Sequence, residues 1–141
     1  MLKNIHPQLT GSLLSVLDRM GHGDLLGLVD RNFPAYRYGA PVIDFRGVDT
    51  ASAAEAILSV FPLDGFVEEA VQRMEIDGSP DEITVATESL QKAADAAEGR
   101  PVRIASVERF AFYDLATSAH VFVQTGETVP YSCYLLRKGV V

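Results

Sequence analysis

The sequence holds a single cysteine, Cys133, and no tryptophan. One cysteine forms no intrachain disulfide, and no cysteine pair stands at zinc-ligand spacing. Basic residues are also few: 12 Lys and Arg against 19 Asp and Glu leave a formal charge of −7. The cations are scattered, so no basic face exists to displace phosphate counterions, which argues against nucleic acid as a partner. The same balance disfavours an anionic membrane surface. No apolar run approaches the roughly 18 residues that span a bilayer, and Met1–His6 lacks the apolar stretch of a signal peptide. A dinucleotide fingerprint and a phosphate loop are both missing, so no cofactor is expected. The histidines are only three, His6, His22 and His120, none at i, i+4 from another. No metal site is expected either. What these absences leave is a cytoplasmic, cofactor-free protein whose natural partner is a small polar ligand.

What is present suffices for one core. The 141 residues are 48% hydrophobic, the size of a single domain over 1–141. Leu13, Val16, Leu17 and Met20 share one face of a helix over Ser12–Met20, with Thr10 or Ser12 as cap. Leu25–Val29 reads as a short buried strand ending at Asp30, Asn32–Tyr36 breaks the chain, and Val42–Phe45 offers a second strand. Asp49 or Thr50 starts a helix with Ala54, Ile57, Leu58 and Phe61 on one face. The stretch Val67–Ile76 is ambiguous, its second half reading as strand. Ser79–Glu82 has the form of a helix start, with Ser79 as cap, Pro80 in the first turn and Glu82 closing a capping box. That helix runs through Ile83, Ala86, Leu90, Ala93 and Ala97 to Gly99. A strand from Pro101, a helix over Glu108–Ser118, a strand over His120–Gln124 and a last strand over Tyr131–Arg137 follow. Alternating helices and strands predict an α/β layer structure, and the adjacent final strands predict a mixed sheet.

Four places offer chemistry. His22 lies between Gly21 and Gly23 in the joint between the first helix and the first strand. Imidazole gives and takes protons near neutral pH, although on spacing alone a tight turn with an exposed histidine is the more economical reading. Asp24 is a turn residue or orients that imidazole. Asp30 ends an apolar strand, where α/β sheets form ligand crevices; it either accepts hydrogen bonds from hydroxyls or caps the turn. Arg109 opens a helix, where the dipole disfavours its charge, so its guanidinium fork points to a ligand, with an ion pair to Glu108 or Asp114 as the plain alternative. Tyr113 reads as packing. Tyr131 follows the bend at Gly126–Pro130 and presents a phenol at the mouth of the last strand. Cys133 reads as a small buried apolar residue.

Taken together these runs resemble the ribose pyranase and fucose mutarotase family. Met1–Ile5, Met20–Asp24, Asp30 with Phe33 and Pro34, Arg109–Tyr113, Thr125–Glu127, Tyr131 and Leu135–Gly139 carry the likeness, which spans the whole chain and is nearest the fucose branch. The resemblance implies a three-layer α/β/α sandwich and a ring-like homo-oligomer such as a decamer. In such a ring the C-terminal strand of one subunit helps complete a neighbour's site. It implies an isomerase that opens and recloses a monosaccharide ring, L-fucose or a related sugar. His22 would be the acid/base residue, and Asp30, Arg109, Tyr131 and Cys133 would hold the sugar. There is one departure. Ser132 and Cys133 stand where the family has a small residue and then asparagine, and losing a carboxamide removes donors and an acceptor. The rival implication is a non-catalytic monosaccharide-binding protein assisting transport or regulation.

Overall fold

The stripe of Leu13 and Leu17 winds helix α1 (Gly11–Arg19), with the Thr10 hydroxyl accepting from the Leu13 N–H at 3.2 Å, in a computed structural model that describes residues 1–141. The elements then follow as β1 (Leu25–Val29), a short 3-10 turn (Ala35–Tyr38), β2 (Val42–Phe45), α2 (Thr50–Leu58), β3 (Val71–Met74), α3 (Val85–Glu98), β4 (Ile104–Val107), α4 (Arg109–Ala116), β5 (Ala119–Thr125) and β6 (Tyr134–Arg137). The six strands form one sheet in the order β2-β5-β1-β6-β3-β4. Every pairing is parallel except those of β6, which runs antiparallel between β1 and β3.

The sheet is therefore mixed, as expected, but for a different reason. The last two strands do not pair; β1 lies between them. Its five residues are all buried, as a central strand covered on both faces requires.

Alternation along the strands sorts the side chains into two layers of core. Leu26 and Leu28 of β1, Val121 and Val123 of β5, and Tyr134 and Leu136 of β6 face α1, α2 and α3. Val29, Phe122, Cys133 and Leu135 face the other way, against Phe112 and Ala116 of α4. Three helices thus cover one face and the eight-residue α4 the other, giving the α/β/α sandwich. Aromatic rings fill the space beside the short α4. Phe33 meets Phe112 edge-on at 6.1 Å and Phe122 at 5.5 Å between centroids. Aromatic pairs at such spacings add to the area they bury.

Three element boundaries differ from expectation. The helix predicted from Ser79 begins at Val85, capped by Thr84. Residues Ser79–Glu82 are held in turns instead. The Ser79 N–H donates to the Ile76 carbonyl and the Glu82 N–H to the Ser79 carbonyl, while buried Arg73 donates to the Pro80 carbonyl at 2.7 Å. The Thr84 hydroxyl accepts from the Thr87 N–H, and the Thr87 hydroxyl is in turn hydrogen-bonded to the buried Tyr134 phenol at 2.9 Å. A cap tied into the core outcompetes an exposed capping box. Ile83 and Ala97 accordingly lie outside the core, and Ala86, Leu90 and Ala94 carry it. Gly99 ends the helix as expected.

The strand predicted from Pro101 starts at Ile104, because α3 holds Val102: its N–H donates to Asp95 and its carbonyl accepts from Gln91. The strand predicted from Tyr131 starts at Tyr134. Tyr131 has a left-handed backbone, φ 62°, which no strand admits.

The relocated cap gives a direct prediction. Thr84→Ala should cost about 1 kcal/mol, the usual loss for a capping hydroxyl, and lower the melting temperature by roughly 3 °C in a chain of this size. Ser79→Ala should stay within about 0.5 kcal/mol of wild type. A calorimetric comparison of the two checks it, and the reverse order would restore the earlier helix start.

Candidate active site

β1 ends at Val29, and the chain turns off the sheet at Asp30, whose carboxylate accepts from the Asn32 N–H at 2.9 Å and the Phe33 N–H at 3.1 Å. Only 7% of the residue is exposed. Both readings of Asp30 therefore meet in one side chain: it caps the turn with Oδ1 and stands in a crevice at the carboxyl end of a strand. Two neighbouring strand ends complete that crevice. β3 brings Met74, whose N–H donates to the Cys133 carbonyl, and β4 leads straight into α4 and so places Arg109 and Tyr113.

These residues, with Tyr131 and Cys133, line one cavity of about 220 Å³. Pockets for drug-sized ligands run to roughly 300–1,000 Å³, so this one suits a smaller molecule such as a monosaccharide. Its chemistry is varied. Asp30 supplies an acceptor, Arg109 a multidentate donor, and Tyr131 and Tyr113 phenols. Burial pushes the Cys133 thiol well up from its ordinary value, and the nearby Asp30 carboxylate adds to the rise. Cys133 is therefore a neutral, weakly polar wall and no nucleophile. Tyr113, read from the sequence as packing, does pack on Phe33 at 5.8 Å, and it also lines the cavity. Arg109 pairs with neither Glu108 nor Asp114. Glu108 caps α4 through the Phe110 and Ala111 N–H groups, and the carboxylate beside Arg109 is Asp77, 3.1 Å from its Nε.

His22 is elsewhere. It sits in the loop before β1, at the end of the strand opposite Asp30, and five strand residues at about 3.3 Å each put on the order of 17 Å between them. Asp30, Arg109, Tyr131 and Cys133 are brought together within one chain; His22 is not among them.

His22 has a partner of its own that the sequence did not reveal. Its Nε2 lies 3.2 Å from Oδ1 of Asp64, a carboxylate whose side chain is 4% exposed. Asp64 accepts from the Phe66 N–H at 2.9 Å, and its own N–H donates to the Arg137 carbonyl. The Phe66 N–H, and after it His22, hold the Asp64 carboxyl below its ordinary value against the opposing effect of burial. The contact engages Nε2 and leaves Nδ1 without a hydrogen bond within the chain. The tilted Phe66 ring, 5.6 Å away, flanks the imidazole.

Asp24 does not orient His22. Its carboxylate accepts from the Gly21 N–H at 2.7 Å and lies 3.9 Å from His120, so it shapes the loop. His22 also borders a larger, mainly apolar depression of about 540 Å³ beside α1 and the C-terminal residues. The one ammonium there, on Lys138, already donates to the Leu17 and Met20 carbonyls. Asp18 also borders this depression, whose lining is otherwise chiefly apolar, whereas Asp30, Arg109 and two phenols meet in the smaller cavity.

A family model described as the RbsD / FucU transport protein family matches residues 3–141. The chain belongs to that family. Within the RbsD / FucU family it is 42% identical to an L-fucose mutarotase of Glaesserella parasuis over 99% of this chain and 96% of that protein. Among solved structures, FucU from Bifidobacterium longum superposes with a TM-score of 0.92 at 36% identity, covering 99% of both chains. The fucose mutarotase of Streptococcus pneumoniae, solved in complex with L-fucose, superposes with a TM-score of 0.90 at 32% identity, again over 99% of both. No helix of this RbsD / FucU chain is long and apolar enough to cross a membrane.

Proposed function

We propose that this protein is a cytoplasmic sugar mutarotase acting on L-fucose or a closely related monosaccharide, and that its working unit is a ring-like homo-oligomer such as a decamer. The observation that carries the reading is the convergence of Asp30, Arg109 and Tyr131 on one monosaccharide-sized cavity. The L-fucose mutarotases among its relatives supply the substrate class.

Interconverting anomers requires a proton to leave the anomeric hydroxyl and another to reach the ring oxygen as the C1–O5 bond breaks. The resulting aldehyde rotates and recloses by the reverse transfers. No electrons leave or enter the sugar. Asp30 and Arg109 fix the hydroxyls, and Tyr131 and Tyr113 border the ring with phenols able to donate or accept. The remaining need is a titrating group, and His22, with Nδ1 free and Nε2 on Asp64, is suited to it.

Since His22 and the Asp30 cavity of one chain are about 17 Å apart, a sugar meets both only where two copies adjoin. His22 and Asp64 of one subunit then act on a sugar held by the next.

The test is saturation transfer between anomer resonances of L-fucose and of D-ribose. Wild type should accelerate exchange. Neither His22→Ala nor Arg109→Ala alone should do so, and a refolded equal mixture should regain it at about a quarter of the sites, those pairing an intact His22 with an intact cavity. A mixture as inactive as its components would overturn the shared site. Binding with no acceleration in the wild type would leave the non-catalytic sugar-binding protein as the reading.

A further inference from the structure

Arg109 stands where a cation is least at ease, at the first residue of α4, whose N–H groups carry the positive end of the helix dipole. Its long side chain has several single bonds and would wander unless something held it. Two groups do. The guanidinium carbon lies 4.7 Å over the Phe110 ring, and Oδ2 of Asp77 lies 3.1 Å from Nε. That Nε is buried and its N–H is not aimed squarely at an acceptor, so the contact is an ion pair, not an aligned hydrogen bond.

Asp77 is presented by a built turn. Ile76 and Ser79 close it, with the Ser79 N–H donating to the Ile76 carbonyl at 2.9 Å. Gly78 takes the left-handed backbone, φ 78°, that the third position of such a turn requires. Arg73 anchors the far limb through the Pro80 carbonyl. At the near end the Glu75 N–H donates to the Val107 carbonyl, two residues before Arg109. The turn and the start of α4 are thus bolted side by side. Asp77 occupies the Nε edge of the guanidinium, and the terminal nitrogens, which make no hydrogen bond within the chain, remain for the cavity that Arg109 lines.

We infer that Asp77 is a positioning residue: through its ion pair with Arg109 it sets the guanidinium against the sugar and so tunes affinity. The inference rests on the sugar-binding role proposed above for Arg109. Asp77 itself does not line the cavity, so its effect passes through Arg109 alone.

Asp77→Asn keeps the shape and removes the charge. It should raise the KM for L-fucose exchange about 5-fold, the upper end for a half-exposed ion pair, with kcat within about 2-fold because the proton-transfer groups are untouched. Asp77→Glu should recover part of the loss. In an Arg109→Met background, which removes the cation, Asp77→Asn should add almost nothing to the loss of L-fucose affinity read by NMR titration, whereas a further loss as large as in wild type would overturn the inference, since independent sites add. A second readout needs no sugar. The Arg109 Nε–H resonance, identified by its loss in Arg109→Lys, should be ordered and slow to exchange in wild type and averaged in Asp77→Asn. A wild-type resonance already averaged overturns the pairing. A wild type that leaves sugar anomers untouched counts against the proposed function alone, and the Nε–H resonance then decides the pairing without it.

Discussion

Replacing His22 by glutamine is expected to slow anomer exchange by about 10²–10⁴-fold, the contribution of one positioned acid/base group, or roughly 3–5 kcal/mol of barrier. Glutamine keeps a donor for Asp64 and much of the volume but does not titrate. The fold should be indifferent, because the His22 side chain is 48% exposed. Sugar affinity should stay within about 2-fold, since loss of a group acting in the transition state lowers kcat and leaves ground-state binding in place. Asp64→Asn should show a lesser loss, since it spares the titrating group and removes only the anion that fixes its tautomer and would stabilise an imidazolium. The sign of the pH effect follows from the lowered carboxyl of Asp64. A depressed folded value stabilises the protein fully above the ordinary carboxylate value and fades as pH falls through the folded one. Asp64 therefore stays anionic throughout the neutral range, and its support of His22 fails only in acid. Exchange constants and binding isotherms for both variants decide the matter. A glutamine variant with wild-type exchange would sink His22 as the acid/base residue.

That pairing also marks where the sequence ceased to be legible. Periodicity sufficed for β1, whose unbroken apolar run announces a central strand ending at Asp30, and for α1 and α2, whose caps are adjacent hydroxyl and carboxylate groups. It failed at Ser79, where the deciding bonds come from Arg73 and, through Thr87, from Tyr134 far along the chain. Local patterns do not report such partners. The Asp30 cavity was half visible: Asp30 and Arg109 advertise themselves by position, but Tyr113 looks like packing because it is also packing. Asp64 gave no usable sign. It stands 42 positions from His22 in Pro62–Gly65, and only the β1–β6 pairing, which draws Arg137 beside Asp64, brings the two together. The opposite placement of His22 and Asp30 was legible in principle. They flank the same five-residue strand, and a strand keeps its ends apart.

Gly139→Ala should couple a loss of stability to a loss of catalysis, with sugar binding spared. An added Cβ would lie 2.5 Å from the Leu63 carbonyl oxygen, 2.8 Å from the Leu63 carbonyl carbon and 2.9 Å from the Asp64 Cα. All three are backbone atoms, so no side chain can swing aside. The segments are also pinned to each other: the Gly139 N–H donates to the Pro62 carbonyl at 2.8 Å and the Asp64 N–H to the Arg137 carbonyl at 3.0 Å. Relief must come from moving residues 63–64 away from residues 137–139. Overpacking of this kind costs about 1–3 kcal/mol, which in a chain of this length lowers the melting temperature by roughly 3–10 °C. The displaced segment carries Asp64, and a shift of about 1 Å in a group that orients a catalytic side chain can cost on the order of 10²-fold in rate. The Asp30 cavity lies at the far end of β1, so KM should hold. Gly11→Ala serves as control, because nothing lies within 4 Å of its Cβ. A Gly139→Ala protein that melts early yet exchanges anomers at the wild-type kcat would show that Asp64 does not govern His22. One that melts with the wild type would refute the close backbone approach itself.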